Sequence, residues 1–301
     1  MGITALTLFF CLILLEIGVR LFAPQYKKLF QYHEVVGVRR IPNSTFKVYT
    51  PTSKLTHSAN SDGYTTPEVS IDKPPGTFRV ILLGDSMTEA IQLPDEVIVR
   101  SRLENKLKQK LDQEVEAIKL GYSGYGTAQE YLAYMEFGRK YEPDLVILNF
   151  LADNDVANNS QKLESGPSKP FFEIRDGELV LTHRPSKDAK GRLMSFITDY
   201  LVLPRFLYLK FETAKARFEQ ASRGSAGGES DAGLNVRDGV YHQDYDQTWQ
   251  EAWDITIALI RKLAEQVMAD GAKFIVVSFP VARQTVPEVR QEFSEANTKR
   301  G

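Results

Sequence analysis

Apolar and polar positions change rhythm three times along the chain. Over residues 2–23 (GITALTLFFCLILLEIGVRLFA) nearly every position is apolar. As a helix these about 22 residues cover roughly 33 Å, against roughly 30 Å of bilayer hydrocarbon. The pattern predicts a single membrane-spanning helix in residues 1–24, retained as an anchor, since the run is long for a cleaved signal peptide. Its two charges, Glu16 and Arg20, fall at i and i+4 in the order that lets them pair on one face. Residues 25–75 are polar, rich in Tyr, Ser and Thr, with turn signals at Pro42-Asn43 and Asp62-Gly63. They read as a connecting segment with short strands.

The third rhythm fills residues 76–301. FRVILLGDS, VEAIKLGYS, DLVILNFLADND and KFIVVSFP are continuous apolar runs closed by small or polar residues, which predicts buried parallel strands. Amphipathic spacing predicts helices over 96–111, 128–141 and 245–268. This alternation is that of a doubly wound α/β sheet. It breaks over 156–244, an insertion expected to cap one edge of the sheet. There FFEIRDGELVLTH carries an Asp176-Gly177 hairpin turn, a basic helical stretch spans 200–223, and the Gly/Ser-rich 222–233 reads as a flexible linker. No internal repeat is present.

Composition narrows the function. Lysine plus arginine, 37, nearly balance aspartate plus glutamate, 39, so no net basic field exists to hold a phosphate backbone and nucleic acid is not expected as a partner. The single cysteine, Cys11, lies in the apolar run and excludes an intrachain disulfide framework or cysteine-based zinc cluster. No Lys or Arg precedes the span, whereas Arg20, Lys27 and Lys28 follow it, and charge counting alone places the body on the cytoplasmic side.

Ligands of open α/β sheets bind at the carboxyl ends of the strands, so the residues closing the runs are the first candidates for chemistry. The first run closes on Gly84-Asp85-Ser86, where a hydroxyl projects at a strand-to-helix turn as a nucleophile or caps the helix. The second closes on GYSGYGT (121–127), a tight turn whose backbone N–H groups suit an anion. Its glycine order and its place after the second strand argue against a dinucleotide loop. The third closes on Ala152-Asp153-Asn154-Asp155, where the Asn154 amide is either an oxyanion donor or a loop cap. Asp85, Asp153 and Asp155 could hold Mg²⁺ in principle, but no HExxH, EF-hand or P-loop pattern accompanies them. The aromatic stretches at Phe171-Phe172 and 241–253 suit either a carbohydrate or acyl site or the core.

Taken in order, these blocks resemble those of the SGNH hydrolases, the GDSL esterase superfamily, in its membrane-anchored bacterial branch. The resemblance covers roughly residues 60–280. Its blocks are GDSMTE, SGYGT and ADND, the last with Ala152 where the family has glycine, and NSDGY (60–64) and WQEAW (249–253) are similar to features of the anchored branch. The resemblance implies a flavodoxin-like parallel sheet and acyl transfer to Ser86. It implies oxyanion donors from the backbone of Ser86 and Gly124 and the side chain of Asn154, with no cofactor. It also places the body outside the cytoplasm, against the charge count, and that orientation is adopted here.

The family's mechanism further needs a histidine base with an aspartate three residues before it. His33, His57, His183 and His242 follow Phe30, Lys54, Val180 and Gly239 at that spacing, so none fits. His242 lies near Asp244 and Asp246 but before the helix that leads to the fourth strand. The Asp-x-x-His block is therefore expected to be missing from a chain whose tail, 286–301, is polar, and the chain is expected to be a fragment of a longer hydrolase with little activity of its own. Three functions follow: hydrolysis of an acylated small molecule or of O-acetyl groups on an envelope polysaccharide, acetyl transfer to a glycan at the same site, or non-catalytic binding of a glycan or envelope partner.

Overall fold

Side chains of FRVILLG alternate between two different cores, and this divides the body into layers. The structure is a computed structural model that describes residues 2–23, 28–50, 52–164, 166, 168–186, 193, 197, 200–225, 236–241 and 244–288, with only the backbone described at 216–225, 236–238 and 282–283. His242, residues 226–233 of the expected linker and 289–301 of the tail lie outside the described residues. Contacts divide the chain into two compact units, one of Met1–Gln31 with Ser186–Gly233 and the other of Tyr32–Pro185 with Leu234–Gly301.

The first unit holds α1 (Gly2–Phe22), none of whose side chains is buried. It is the one helix among the described residues long and apolar enough to cross a membrane, as a candidate anchor or signal sequence. Arg20 pairs with Glu16 at 2.6 Å, as the spacing predicts.

In the second unit four short strands, β1 (Phe30–His33, its start in the first unit), β2 (Gly37–Arg40), β3 (Thr45–Tyr49) and β4 (Lys54–Ser58), occupy the connecting segment. β3 and β4 pair antiparallel. Both turn signals are used, with positive φ at Asn43 and Gly63. Next come β5 (Phe78–Gly84), α2 (Ser86–Glu89), α3 (Val99–Leu111), β6 (Val115–Gly121), α4 (Thr127–Ala133), β7 (Leu145–Phe150) and α5 (Ala152–Asn158). The hairpin β8 (Phe171–Arg175) with β9 (Glu178–His183) turns at Asp176 and Gly177, both at positive φ, as the Asp-Gly signal requires. α6 (Leu203–Ser225) belongs to the first unit, and α7 (Gln247–Ala269) and β10 (Lys273–Ser278) to the second.

β10, β7, β5 and β6 lie side by side in that order, all parallel. In chain order this is 2-1-3-4, the doubly wound arrangement. Val80 and Leu82 of β5 face α3 with Ala117 and Ile147, while Ile81 and Leu83 face α4 and α7 with Ile118, Leu120, Val146 and Leu148. α7 buries Trp249, Ala252, Thr256, Leu259, Leu263 and Val267 at helical spacing, and the Asp246 carboxylate caps it by accepting the Trp249 N–H at 2.9 Å.

Three expectations need correction. KFIVVSFP is a parallel strand as predicted, paired with β7, but is not buried, Ile275, Val276 and Val277 being 40–47% exposed. β10 has one neighbouring strand among the described residues, and an apolar run does not distinguish an edge from a centre. The helix over 128–141 is α-helical only to Ala133, then widens to a π turn at Tyr134–Gly138 and tightens to a 3₁₀ turn at Arg139–Tyr141. That register lets Tyr134 donate to Asp270 at 2.9 Å and Tyr141 to Asp62 at 2.7 Å. Finally, the linker expected from residue 222 begins inside α6, which runs to Ser225; a lone glycine does not stop a helix that is already propagating.

Glycine at the end of β5 is required by close packing. A Cβ on Gly84 would lie 2.1 Å from Thr88 Oγ1 and 3.1 Å from the Asn149 carbonyl oxygen, and Thr88 is fixed by the Asn149 amide at 2.9 Å. Gly84→Ala is expected to lower stability by about 2 kcal/mol as α2 is pushed off the sheet. Thermal unfolding measures this, and an unchanged midpoint would refute the packing described.

Candidate active site

In a sheet of order 2-1-3-4 the chain leaves β5 for β6 on one side and returns to β7 on the other. A crevice therefore opens at the carboxyl ends of β5 and β7. Ser86 and Asn154 both lie there, and one hydrogen bond ties their loops together. Asn154 Nδ2 donates to Asp85 Oδ2 at 2.7 Å, while Asp85 Oδ1 accepts the Met87 N–H at 2.9 Å as the N-cap of α2. Ser86 opens that helix half-buried, and its hydroxyl makes no hydrogen bond among the described residues.

The loop after β6 is brought to the same place by the other end of α2. Glu89 Oε2 accepts the Ser123 N–H at 3.0 Å and the Ser123 hydroxyl at 2.6 Å. Its Oε1 pairs with the Arg40 guanidinium, at 2.8 Å from Nε and 2.7 Å from Nη2. Arg40 in turn lies over the rings of Phe46 and Tyr122, its Cζ 4.6 and 5.1 Å from their centroids. On the far side of Gly124, the Tyr125 hydroxyl donates to the Val38 carbonyl at 2.7 Å and its own carbonyl accepts from Asn158 at 3.1 Å. Gly124 sits between these anchors at φ +85°, with open space where a Cβ would stand. This is a left-handed conformation that glycine takes without strain.

Beneath the crevice lies a set of acids. Glu130 and Asp155 are fully buried, and among the described residues neither Glu130 oxygen nor Asp155 Oδ1 has a hydrogen-bond partner. Burial, then the charges of Asp155 and Asp85, pushes the Glu130 carboxyl well above the ordinary carboxylate range. Burial, then Asp85, does the same to Asp155, against a lowering by the Leu151 N–H that its Oδ2 accepts at 2.7 Å. Neutral carboxyls next to Asp85 are what like charges in a dry site demand. Lys119, buried in β6, donates to the Glu89 carbonyl at 2.7 Å, and burial lowers its ammonium to about 8.

The structure thus brings the loops of Ser86, Gly124 and Asn154 together around α2. It does not bring any of the described histidines to Ser86. His33 packs on Phe137 with centroids 5.2 Å apart, His57 Nε2 faces the Ile91 carbonyl at 2.9 Å, and His183 packs on Phe171 at 5.9 Å. No three His, Cys, Asp or Glu side chains among the described residues are grouped as metal ligands. Sequence reasoning missed Arg40, Glu89 and Glu130. One signal was present: Lys119 interrupts an otherwise apolar strand, and a charge in a buried strand demands a partner nearby.

The chain matches no family model and no curated protein. Among solved structures it is similar to AlinE4, an SGNH-hydrolase family esterase, at 17% identity over 75% of this chain and 98% of that one, with a TM-score of 0.28. It is similar to the acetyl xylan esterase AlAXEase at 15% identity over 74% and 83%, with a TM-score of 0.27. The lipase Lip_vut3 from a goat rumen metagenome gives 17% identity over 70% and 84%, with a TM-score of 0.27. Scores this low transfer neither fold nor activity, and the fold class rests on the strand order itself.

The raised carboxyls have a consequence for stability. A group whose pKa rises on folding contributes fully below its unfolded pKa and loses that contribution as pH climbs through the folded value. Thermal stability is therefore expected to fall from mildly acidic pH towards pH 8, above which Lys119, whose pKa is lowered from 10.5 to about 8, acts in the opposite sense. Glu130→Gln, an isostere of the neutral acid, is expected to match the unsubstituted protein at acidic pH and to show a shallower decline. Unfolding midpoints across pH test this, and identical slopes would refute it.

Proposed function

We propose that the second unit is the nucleophile-bearing body of a serine ester hydrolase of the SGNH type. The carrying observation is the Asn154–Asp85 hydrogen bond, which joins a side-chain amide donor to the turn presenting Ser86. In this reading Ser86 Oγ attacks the ester carbonyl carbon. The resulting oxyanion accepts from the backbone N–H groups of Ser86 and Gly124 and from the Asn154 amide, donors of a kind worth about 100-fold or more in rate. The proton on Oγ needs a base, and the three described histidines are engaged elsewhere. These residues alone thus supply the nucleophile and the anion-stabilising side, and their turnover is slow, because members of a triad act as a unit.

An O-acetylated envelope polysaccharide is the substrate class favoured by a second feature. A cleft of about 510 Å³ lies between the segment following α5, β8 and α7, with Phe171, Phe172 and Ile255 as apolar walls and Gln161, Glu251 and Asp254 as hydrogen-bonding groups. Apolar faces with a few polar groups suit the two sides of a pyranose ring. In the same reading α1 is an uncleaved anchor and the body faces outward from the cytoplasmic membrane.

A fluorophosphonate probe tests the nucleophile. Mass spectrometry is expected to find Ser86 modified, with slow p-nitrophenyl acetate hydrolysis that Ser86→Ala abolishes. Hydrolysis surviving Ser86→Ala, or modification of another serine in place of Ser86, would overturn the proposal.

A further inference from the structure

We infer that α6 is a second membrane-contacting element, lying along the headgroup boundary of a phospholipid bilayer beside the end of α1. The inference rests on the reading of α1 as an anchor. α6 starts from the closing turns of α1. The Glu16 carboxylate accepts the N–H groups of Val202 and Leu203 at 2.8 Å each, Arg20 donates to the Tyr200 carbonyl, and Arg20 and Glu16 pair with each other. An anionic group at a helix start satisfies otherwise orphaned donors and meets the positive end of the helix dipole. Because Glu16 and Arg20 lie within the last two turns of α1, the start of α6 is held where the span would leave the hydrocarbon.

From there α6 presents an apolar stripe. At about 100° per residue, Leu203, Leu207 and Phe211 share an arc of about 80°. Leu207 is 55% exposed and Phe211 67%, and Tyr208 beside them is 62% exposed. Lys210 and Lys215 flank the stripe on opposite sides, and Glu212 faces away from it. Basic residues bordering an apolar face, with acid opposite, is the pattern of a helix lying in an anionic membrane interface. The surface continues onto α1 through an open apolar groove of about 630 Å³, where Phe206 of α6 meets Leu14, Leu15, Gly18, Val19 and Phe22. A helix as long as α6 that is exposed from Leu207 to Lys215 needs a surface on which to bury that stripe. The lipid that surrounds α1 is continuous with it.

The test uses the full chain in vesicles of phosphatidylcholine and phosphatidylglycerol. In a Cys11→Ser background, single cysteines at Leu8, Leu207, Phe211 or Glu212 carry an environment-sensitive fluorophore. Each is challenged with acyl-chain nitroxide lipid and with aqueous iodide. The inference requires Leu8→Cys, Leu207→Cys and Phe211→Cys labels to lose emission to the nitroxide and resist iodide, and the Glu212→Cys label to do the reverse. Lipid quenching at Leu8→Cys with iodide quenching at both Leu207→Cys and Phe211→Cys would overturn it and leave the anchor standing. Iodide quenching at Leu8→Cys would overturn the anchor reading and this inference together.

Discussion

One buried carboxylate holds the candidate site together. Glu89 closes the short helix that Ser86 opens, binds the loop carrying Gly124 through both the N–H and the hydroxyl of Ser123, and is neutralised by Arg40 from β2. Glu89 is fully buried and Arg40 nearly so. Losing either partner of such a pair strands a charge in a dry site at a cost of about 3–5 kcal/mol. The polar segment before the sheet is therefore part of the site's framework: Arg40 comes from it, as do the Val38 carbonyl that fixes Tyr125 and the Asp62 carboxylate that fixes Tyr141.

A second constraint lies below the first. Asp85 must present acceptors to both Asn154 and the start of α2, and it does so close to two further acids. The arrangement is tolerable because burial keeps Glu130 and Asp155 protonated. Electrostatics and packing act in the same direction here, since the glycine that admits Thr88 to the end of β5 sets the distance between α2 and the sheet.

Much of this organisation was legible in the sequence for physical reasons. Strands buried on both faces are apolar throughout, the Asp176-Gly177 turn requires positive φ, and Glu16 with Arg20 have a spacing that only a helix brings together. What was hidden depends on tertiary position. Arg40 and Glu89 lie 49 residues apart and meet only once the sheet is built. Glu130 follows Gln129 in a helix read as amphipathic, where a carboxylate is expected on the solvent side, and β10 has a core strand's composition with one neighbouring strand among the described residues. The three motif loops could be located at strand ends, but their mutual hydrogen bonds, and the engagement of the described histidines elsewhere, became visible only in three dimensions.

Through Ser123 and Arg40 the Glu89 carboxylate clamps the helix and loop around Ser86. The most direct measurement is the rate of fluorophosphonate modification of Ser86 in Glu89→Gln, at a temperature where circular dichroism shows the variant folded. The clamp predicts a rate lower by about a hundredfold, the scale that misplacement of a reacting group by about 1 Å produces. A folded variant that reacts as fast as the unsubstituted chain would show that the clamp does not set the geometry around Ser86.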